Sequence, residues 1–212
     1  MSVMNDSYKT VKTSASDEFV KKRSRFIGYA KPVKTEADAL EFINKIKKEH
    51  WDARHNCYAY SLREGSIKRY SDDGEPQGTA GVPMLDVLNK SGIVDAVVVV
   101  TRYFGGVLLG TGGLVRAYSQ AAKIALDAAN VITMSICSEC IIRCSYNRYG
   151  KLNTLIMNKN GVVDDITFSD NVTLSFHIPV ENIPSLKKEL ADATAGEVEI
   201  EIIDEKYYEI SE

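Results

Sequence analysis

Four consecutive valines at residues 97–100, with two glycine clusters following closely, constrain this chain more than any other feature. Residues 97–116 read VVVVTRYFGGVLLGTGGLVR. An unbroken β-branched run suits a buried strand. After it come Arg102, Tyr103 and Phe104, the pair Gly105-Gly106, an apolar step, and then Gly110-Thr111-Gly112-Gly113 opening a helix. Strand, glycine-rich turn and helix in that order let the backbone approach a partner closely. They also aim unpaired N–H groups from the start of a helix, where anions are favoured.

The chain upstream alternates strand and helix. Residues 19–33 read as one strand, entered through the basic cluster Lys21-Lys22-Arg23-Ser24-Arg25 and closed by Pro32. Such a cluster also blunts a sheet edge. Thr35-Glu36-Ala37-Asp38 is a capping box for a helix to about His50, with Leu40, Ile43 and Ile46 as its apolar stripe and Phe42 at the margin. Residues 54–62 form a strand with His55, Cys57 and Ala59 on one side and Asn56, Tyr58 and Tyr60 on the other. Glu64-Gly65 turns it into a hairpin that returns over 67–70. Residues 71–83 contain three glycines, two prolines and three acids, which predicts a long loop, functional or mobile. A short helix over 84–89 leads to the valine strand. The helix after the glycines spans about 114–129, with Arg116, Gln120, Lys123 and Asp127 as a polar stripe. Its alanines allow close packing on a sheet, and Asn130 ends it.

Residues 135–212 predict a second domain, following a first domain over 1–134. A length of 212 residues suits two cores. The later strands and helices come in the order β-α-β-β-α-β, a ferredoxin-like plait. Its parts are a strand over 137–146, a helix over 149–158, strands near 162–168 and around Val172–Ile178, a second helix, and a last strand over 197–202. Cys137, Cys140 and Cys144 have a zinc-like spacing, but strand alternation turns Cys137 away from the other two, so buried thiols are expected and no metal. The outward positions of this sheet read Thr173, Ser175, His177 and three glutamates, with no aromatic platform for stacking RNA bases.

Charge is uneven. Residues 1–130 hold 19 Lys and Arg against 15 Asp and Glu, and residues 131–212 hold 7 against 14. An anionic partner therefore suits the first part better. Residues 1–10 lack the apolar core of a signal peptide, no run is long enough to span a membrane, and four cysteines make no disulfide framework. A cytoplasmic protein without a membrane partner is expected.

Three blocks carry a specific resemblance: HNCYAY at 55–60, SDDGEPQGTAGVP at 71–83, and GVPMLDVLNKSGIVDAVVVVTRYFGGVLLGTGGLVRAY at 81–118. Together they resemble the YigZ/IMPACT family, and the trailing plait resembles the C-terminal domain of its bacterial members. The resemblance implies an α+β chain. Its first domain would be similar to the second domain of small-subunit ribosomal protein five, a sheet backed by helices on one side. Its second would be similar to plaits of elongation factor G. Eukaryotic IMPACT relatives look like translational regulators acting through an extra N-terminal domain. This chain opens almost directly at the family core, so that interaction is not carried over.

Three functions follow as expectations. The first is a non-catalytic RNA-, ribosome- or phosphate-binding protein linked to translation. Arg102 and Arg116 would contact phosphate, the N–H groups of Gly105, Gly106, Gly110, Thr111, Gly112 and Gly113 would cradle it, and Lys22, Arg23 and Arg25 would extend the basic track. The second is a metal-dependent hydrolase of a phosphorylated substrate, using His55, Asp72, Asp73 and Glu75. Against it, Ser71 lacks a nucleophile elbow, and the glycines lack the Gly-Lys-Ser/Thr of a P-loop. The third is a protein-interaction module using Val107-Leu108-Leu109. No cofactor is indicated, and oligomeric state is left open.

Overall fold

The computed structural model describes residues 7–210. They divide into two compact units, Tyr8–Thr133 and Met134–Ile210, each built on a mainly antiparallel sheet with helices packed against it. The first unit contains β1 (Ser7–Val11) from Tyr8 on, β2 (Ala15–Lys21), β3 (Ser24–Pro32), α1 (Glu36–Glu49), β4 (His55–Ser61), β5 (Lys68–Ser71), α2 (Gly81–Ser91), β6 (Ala96–Tyr103) and α3 (Thr111–Ala128). Five strands form an antiparallel sheet in the order β2-β3-β6-β4-β5.

The valine strand is the middle of that sheet, and its four valines are fully buried. Their side chains alternate between two cores. Val97 and Val99 meet Ala39, Phe42, Ile43 and Ile46 of α1. Val98 and Val100 share a core with Met84 and Leu88 of α2 and with Tyr118, Ala121 and Ala125 of α3. Helices therefore cover both faces of the sheet, not one as the resemblance implied. A strand apolar on both sides requires that cover. On the α3 side the approach is closest at Gly28, where an added Cβ would lie 2.3 Å from the Ala121 carbonyl oxygen.

Several local readings change. The basic stretch is a turn between two strands, because Lys22 and Arg23 both adopt positive φ, 46° and 65°. That is what a two-residue hairpin turn requires, but without the glycine or asparagine that usually marks one. On α1, Phe42 is buried while Leu40 is 44% exposed, so the stripe lies one step round the helix from the expected one. The capping box is present: Thr35 Oγ1 accepts from Asp38 N–H at 3.1 Å, and Asp38 Oδ2 accepts from Thr35 N–H at 3.0 Å. Thr35→Ala should cost the first unit about 1 kcal/mol, read from its urea midpoint. The helix expected over 84–89 begins earlier, at Gly81. Its start is held by Asp72, whose Oδ1 accepts from the N–H groups of Ala80 and Gly81 and whose Oδ2 accepts from Gly78. The preceding loop is thus tied down along its length. Helix α3 also begins early, at Thr111, and Asn130 follows it at φ 60°.

The second unit contains the rest of β7 (Val131–Cys144), then α4 (Tyr146–Asn158), β8 (Val162–Phe168), β9 (Val172–Pro179), α5 (Ile183–Thr194) and β10 (Glu201–Ile210). Strand β9 lies between β7 and β8, and β10 pairs with β7. Cys140, Ile142, Leu152, Ile156, Leu174, Phe176, Leu186 and Leu190 fill the core. Tyr146 opens α4 rather than ending the strand, and it stacks on Phe168. The last strand starts at Glu201, later than expected, and brings Tyr208 over His177 with ring centroids 3.9 Å apart. His177 is buried and bonded to Asp164 at 2.8 Å, so this face carries one aromatic pair that the outward-position pattern omitted. Glu139, bonded to Tyr208, and Asp164 keep the surroundings acidic. Cys137, Cys140 and Cys144 are buried free thiols. Burial pushes Cys137 and Cys140 up to about 11, which leaves them protonated at neutral pH.

Candidate functional site

The three motif blocks meet at one cleft of about 440 Å³ in the first unit. Arg54 and His55 enter it from the start of β4, and Gly74, Glu75 and Pro76 from the tied loop. Arg102 and Phe104 come from the end of β6, and Leu108, Gly110, Thr111 and Leu114 from the step into α3. Sheet pairing explains part of this convergence, since β4 places His55 directly opposite Arg102.

The floor is a buried ion pair. Arg102 is 5% exposed, and its Nη1 donates to Glu75 Oε1 at 2.5 Å. Tyr118 donates to the same oxygen at 2.8 Å. The guanidinium lies 5.4 and 5.5 Å from the Phe26 and Phe104 ring centres, and Nη2 reaches Ser24 Oγ at 3.4 Å. Its Nε–H is buried with no partner. Arg102 is therefore the counter-ion of Glu75, not the open phosphate contact expected at the strand end.

The other titratable candidates do not assemble into a metal centre. Asp72 caps α2. Asp73 accepts from Lys47 Nζ and from Asn56 N–H, each at 2.7 Å. Glu75 is taken up by Arg102 and Tyr118. Each carboxylate is thus held by different N–H or O–H donors, and among the described residues no group of three or more His, Cys, Asp or Glu is placed to hold a metal. His55 stands apart. Its Nδ1 is 2.8 Å from the Asp73 carbonyl oxygen, which can only accept, so Nδ1 carries the proton. Nε2 makes no hydrogen bond among the described residues, and Glu75 Oε1 is 3.9 Å away. Burial pushes the Tyr118 hydroxyl and the Cys57 thiol well up, so both stay protonated beneath the cleft.

The glycine-rich segment splits into two roles. Gly105 serves packing: an added Cβ would lie 2.0 Å from the Arg23 carbonyl carbon, and its N–H donates to Ser24 Oγ at 3.2 Å. Its amide is not part of a cradle. Gly106 turns the chain at φ 83°. Gly110 precedes α3 at φ 71°, and no side chain caps that helix. The first helical bond runs from Leu114 N–H to Gly110, so the N–H groups of Thr111, Gly112 and Gly113 have no intrahelical acceptor. Thr111 and Gly112 are exposed, and Gly113 is buried. Arg116 folds back over this end, with Nη1 3.7 Å from where a Gly112 Cβ would sit. Arg116 and Arg54 are exposed, and among the described residues neither forms an ion pair. Arg25 is paired with Glu18 at 2.6 Å, while Lys22 and Arg23 are exposed on their turn. Val107 and Leu108 are 39% and 80% exposed, so the apolar step faces water.

Arg54, Phe104 and Leu114 are cleft residues that motif reading missed, and Leu108, expected as a protein contact, lines the cleft with them. Arg54 adjoins His55, but only the chain's return at residues 108–111 brings it beside a helix end.

Comparison with known proteins agrees with the three blocks. The family model described as "Impact N-terminal domain" matches residues 22–126, and "Domain of unknown function (DUF1949)" matches residues 142–197. The "IMPACT family member YvyE" of Bacillus subtilis is 39% identical over 198 residues, covering 93% of this chain and 91% of that protein. The chain belongs to the IMPACT family. The "IMPACT family member YigZ" of Escherichia coli is 34% identical over 187 residues, covering 87% of this chain and 92% of that one. A solved chain described as "Crystal structure of an hypothetical protein" is 31% identical with a TM-score of 0.60. That match covers 95% of this chain and 99% of the other. No helix among the described residues is long and apolar enough to cross a membrane.

Proposed function

We propose that this IMPACT-family chain is a non-catalytic binding protein linked to translation, holding phosphate groups of RNA or of the ribosome in the cleft of its first unit. One observation carries the reading. The uncapped start of α3 opens into a cleft that Arg54 lines, Arg116 folds over the same helix end, and among the described residues neither exposed arginine has a carboxylate partner. Free amides and free guanidiniums at one helix end favour phosphate. The five-stranded sheet supports likeness to the second domain of small-subunit ribosomal protein five, and the strand order of the second unit supports a ferredoxin-like plait. A cytoplasmic setting fits the buried reduced thiols.

RNA affinity should fall steeply with salt, and the Arg54→Ala, Arg116→Ala double variant should flatten that slope by roughly 1–2 log units per log unit of salt. Gly112→Asp is the sharper probe. An added Cβ at Gly112 meets only Arg116 Nη1, at 3.7 Å, and a carboxylate there would occupy that guanidinium and the amides itself. RNA binding should drop about tenfold or more while stability rises by about 1 kcal/mol. Unchanged RNA affinity in Gly112→Asp would remove this reading. The exposure of Val107 and Leu108 favours a protein contact as the second reading, and Leu108→Ser with unchanged co-purifying partners would count against it.

A further inference from the structure

We infer that the cleft is shaped for a ribonucleoside 5′-phosphate taken as a unit, which rests on the proposed anion site and names its ligand class. Backbone phosphate alone leaves three features of the cleft unexplained. The first is Arg102, 95% buried and lining the cleft, whose Nε–H has no acceptor. Buried donors in native proteins are nearly always satisfied, so an orphan on a cation beside a cavity points to an acceptor supplied from outside. The second is His55 Nε2, which faces the cleft residue Glu75 at 3.9 Å and makes no hydrogen bond among the described residues. A sugar hydroxyl, donor and acceptor at once, can pair with it whether or not it carries a proton. The third is the apolar wall. Phe104 and Leu108 are 43% and 80% exposed, and Leu114 lies with them on the same cleft. An aromatic and an aliphatic surface left in water suit a flat heterocycle, and stacking of bases on such surfaces is sequence-tolerant. A helix start, a hydroxyl partner and a flat apolar wall about a cleft of about 440 Å³ match phosphate, ribose and base of a single nucleotide.

The test is isothermal titration calorimetry on the full chain with five ligands: inorganic phosphate, adenosine 5′-monophosphate, its 2′,3′-dideoxy analogue, and an RNA tetramer with and without a 5′-phosphate. The nucleotide should bind at least tenfold tighter than phosphate. Removing both ribose hydroxyls should cost about tenfold, the usual weight of one hydrogen bond to a buried acceptor. Leu108→Ser, at a site too exposed to endanger folding, should weaken the nucleotide several-fold and leave phosphate unchanged. The phosphorylated tetramer binding more tightly than the free nucleotide would identify an RNA end as the source, and the reverse order a free nucleotide. Equal affinities for phosphate, nucleotide and dideoxynucleotide would overturn the inference. If RNA still binds in a Gly112→Asp-sensitive way in that case, the anion-site reading survives. If it does not, both fall together.

Discussion

Glu75→Ala should destabilise the first unit by about 3–5 kcal/mol, the range for removing one partner of a buried ion pair. Glu75 Oε1 receives hydrogen bonds from Arg102 and from Tyr118, and the side chains of Glu75 and Arg102 are 3% and 6% exposed. Without the carboxylate, a guanidinium remains in the interior with no counter-charge, and a buried hydroxyl loses its acceptor. Guanidinium-induced unfolding of the first unit should show a sharply lower midpoint with an unchanged slope. The double variant Glu75→Leu, Arg102→Met should recover part of the loss, because it removes the stranded charge instead of creating one. A loss below about 1 kcal/mol for Glu75→Ala would mean that water reaches this pair freely.

Gly28→Ala should be nearly as severe, although it adds a single methyl. The new Cβ would lie 2.3 Å from the Ala121 carbonyl oxygen and 3.0 Å from the Ala125 Cβ, so helix α3 has to lift off the sheet. Overpacking of this kind costs typically about 1–3 kcal/mol, and a clash with helix backbone belongs at the upper end. The consequence reaches beyond stability, because the start of α3 is one wall of the cleft. RNA affinity at a temperature where the variant remains folded should fall as well. In Thr35→Ala, where the loss lies at the capping box of α1, it should not.

The contrast between these sites shows what could be read from the sequence. The capping box at Thr35 and Asp38, the face-by-face division of β4, the polar stripe of α3 and the strand-helix order of the second unit are local patterns, and each was legible. The start of α2 was not, because its cap is Asp72, nine residues before Gly81 along the chain. The β2–β3 hairpin was hidden because Lys22 and Arg23 make its turn without glycine or asparagine. Phe42 and Leu40 exchanged places because both fit an apolar stripe, and only the packing partner on the sheet decides between them. At the site, the three motif blocks converge on one cleft, but its charges are paired otherwise than expected. Arg102 looked like a ligand-facing cation because its counter-ion is 27 residues away, on a loop with no pattern to place it. That Arg54 and Arg116 form no ion pair among the described residues is something only the fold reveals.

The middle strand has a further property. Four identical side chains, buried on both faces, give hydrophobicity little means of fixing register within the run: a slide of β6 by two residues would still put valine for valine at two of the four places. The positioning must come from the polar end of the strand. Thr101 donates to Asn56 at 2.7 Å in the interior, and Arg102 is clamped to Glu75. A two-residue slip would carry that guanidinium about 7 Å from its carboxylate. The buried charge that looks wasteful as a source of stability thus works as the stop that sets the strand in its one alignment.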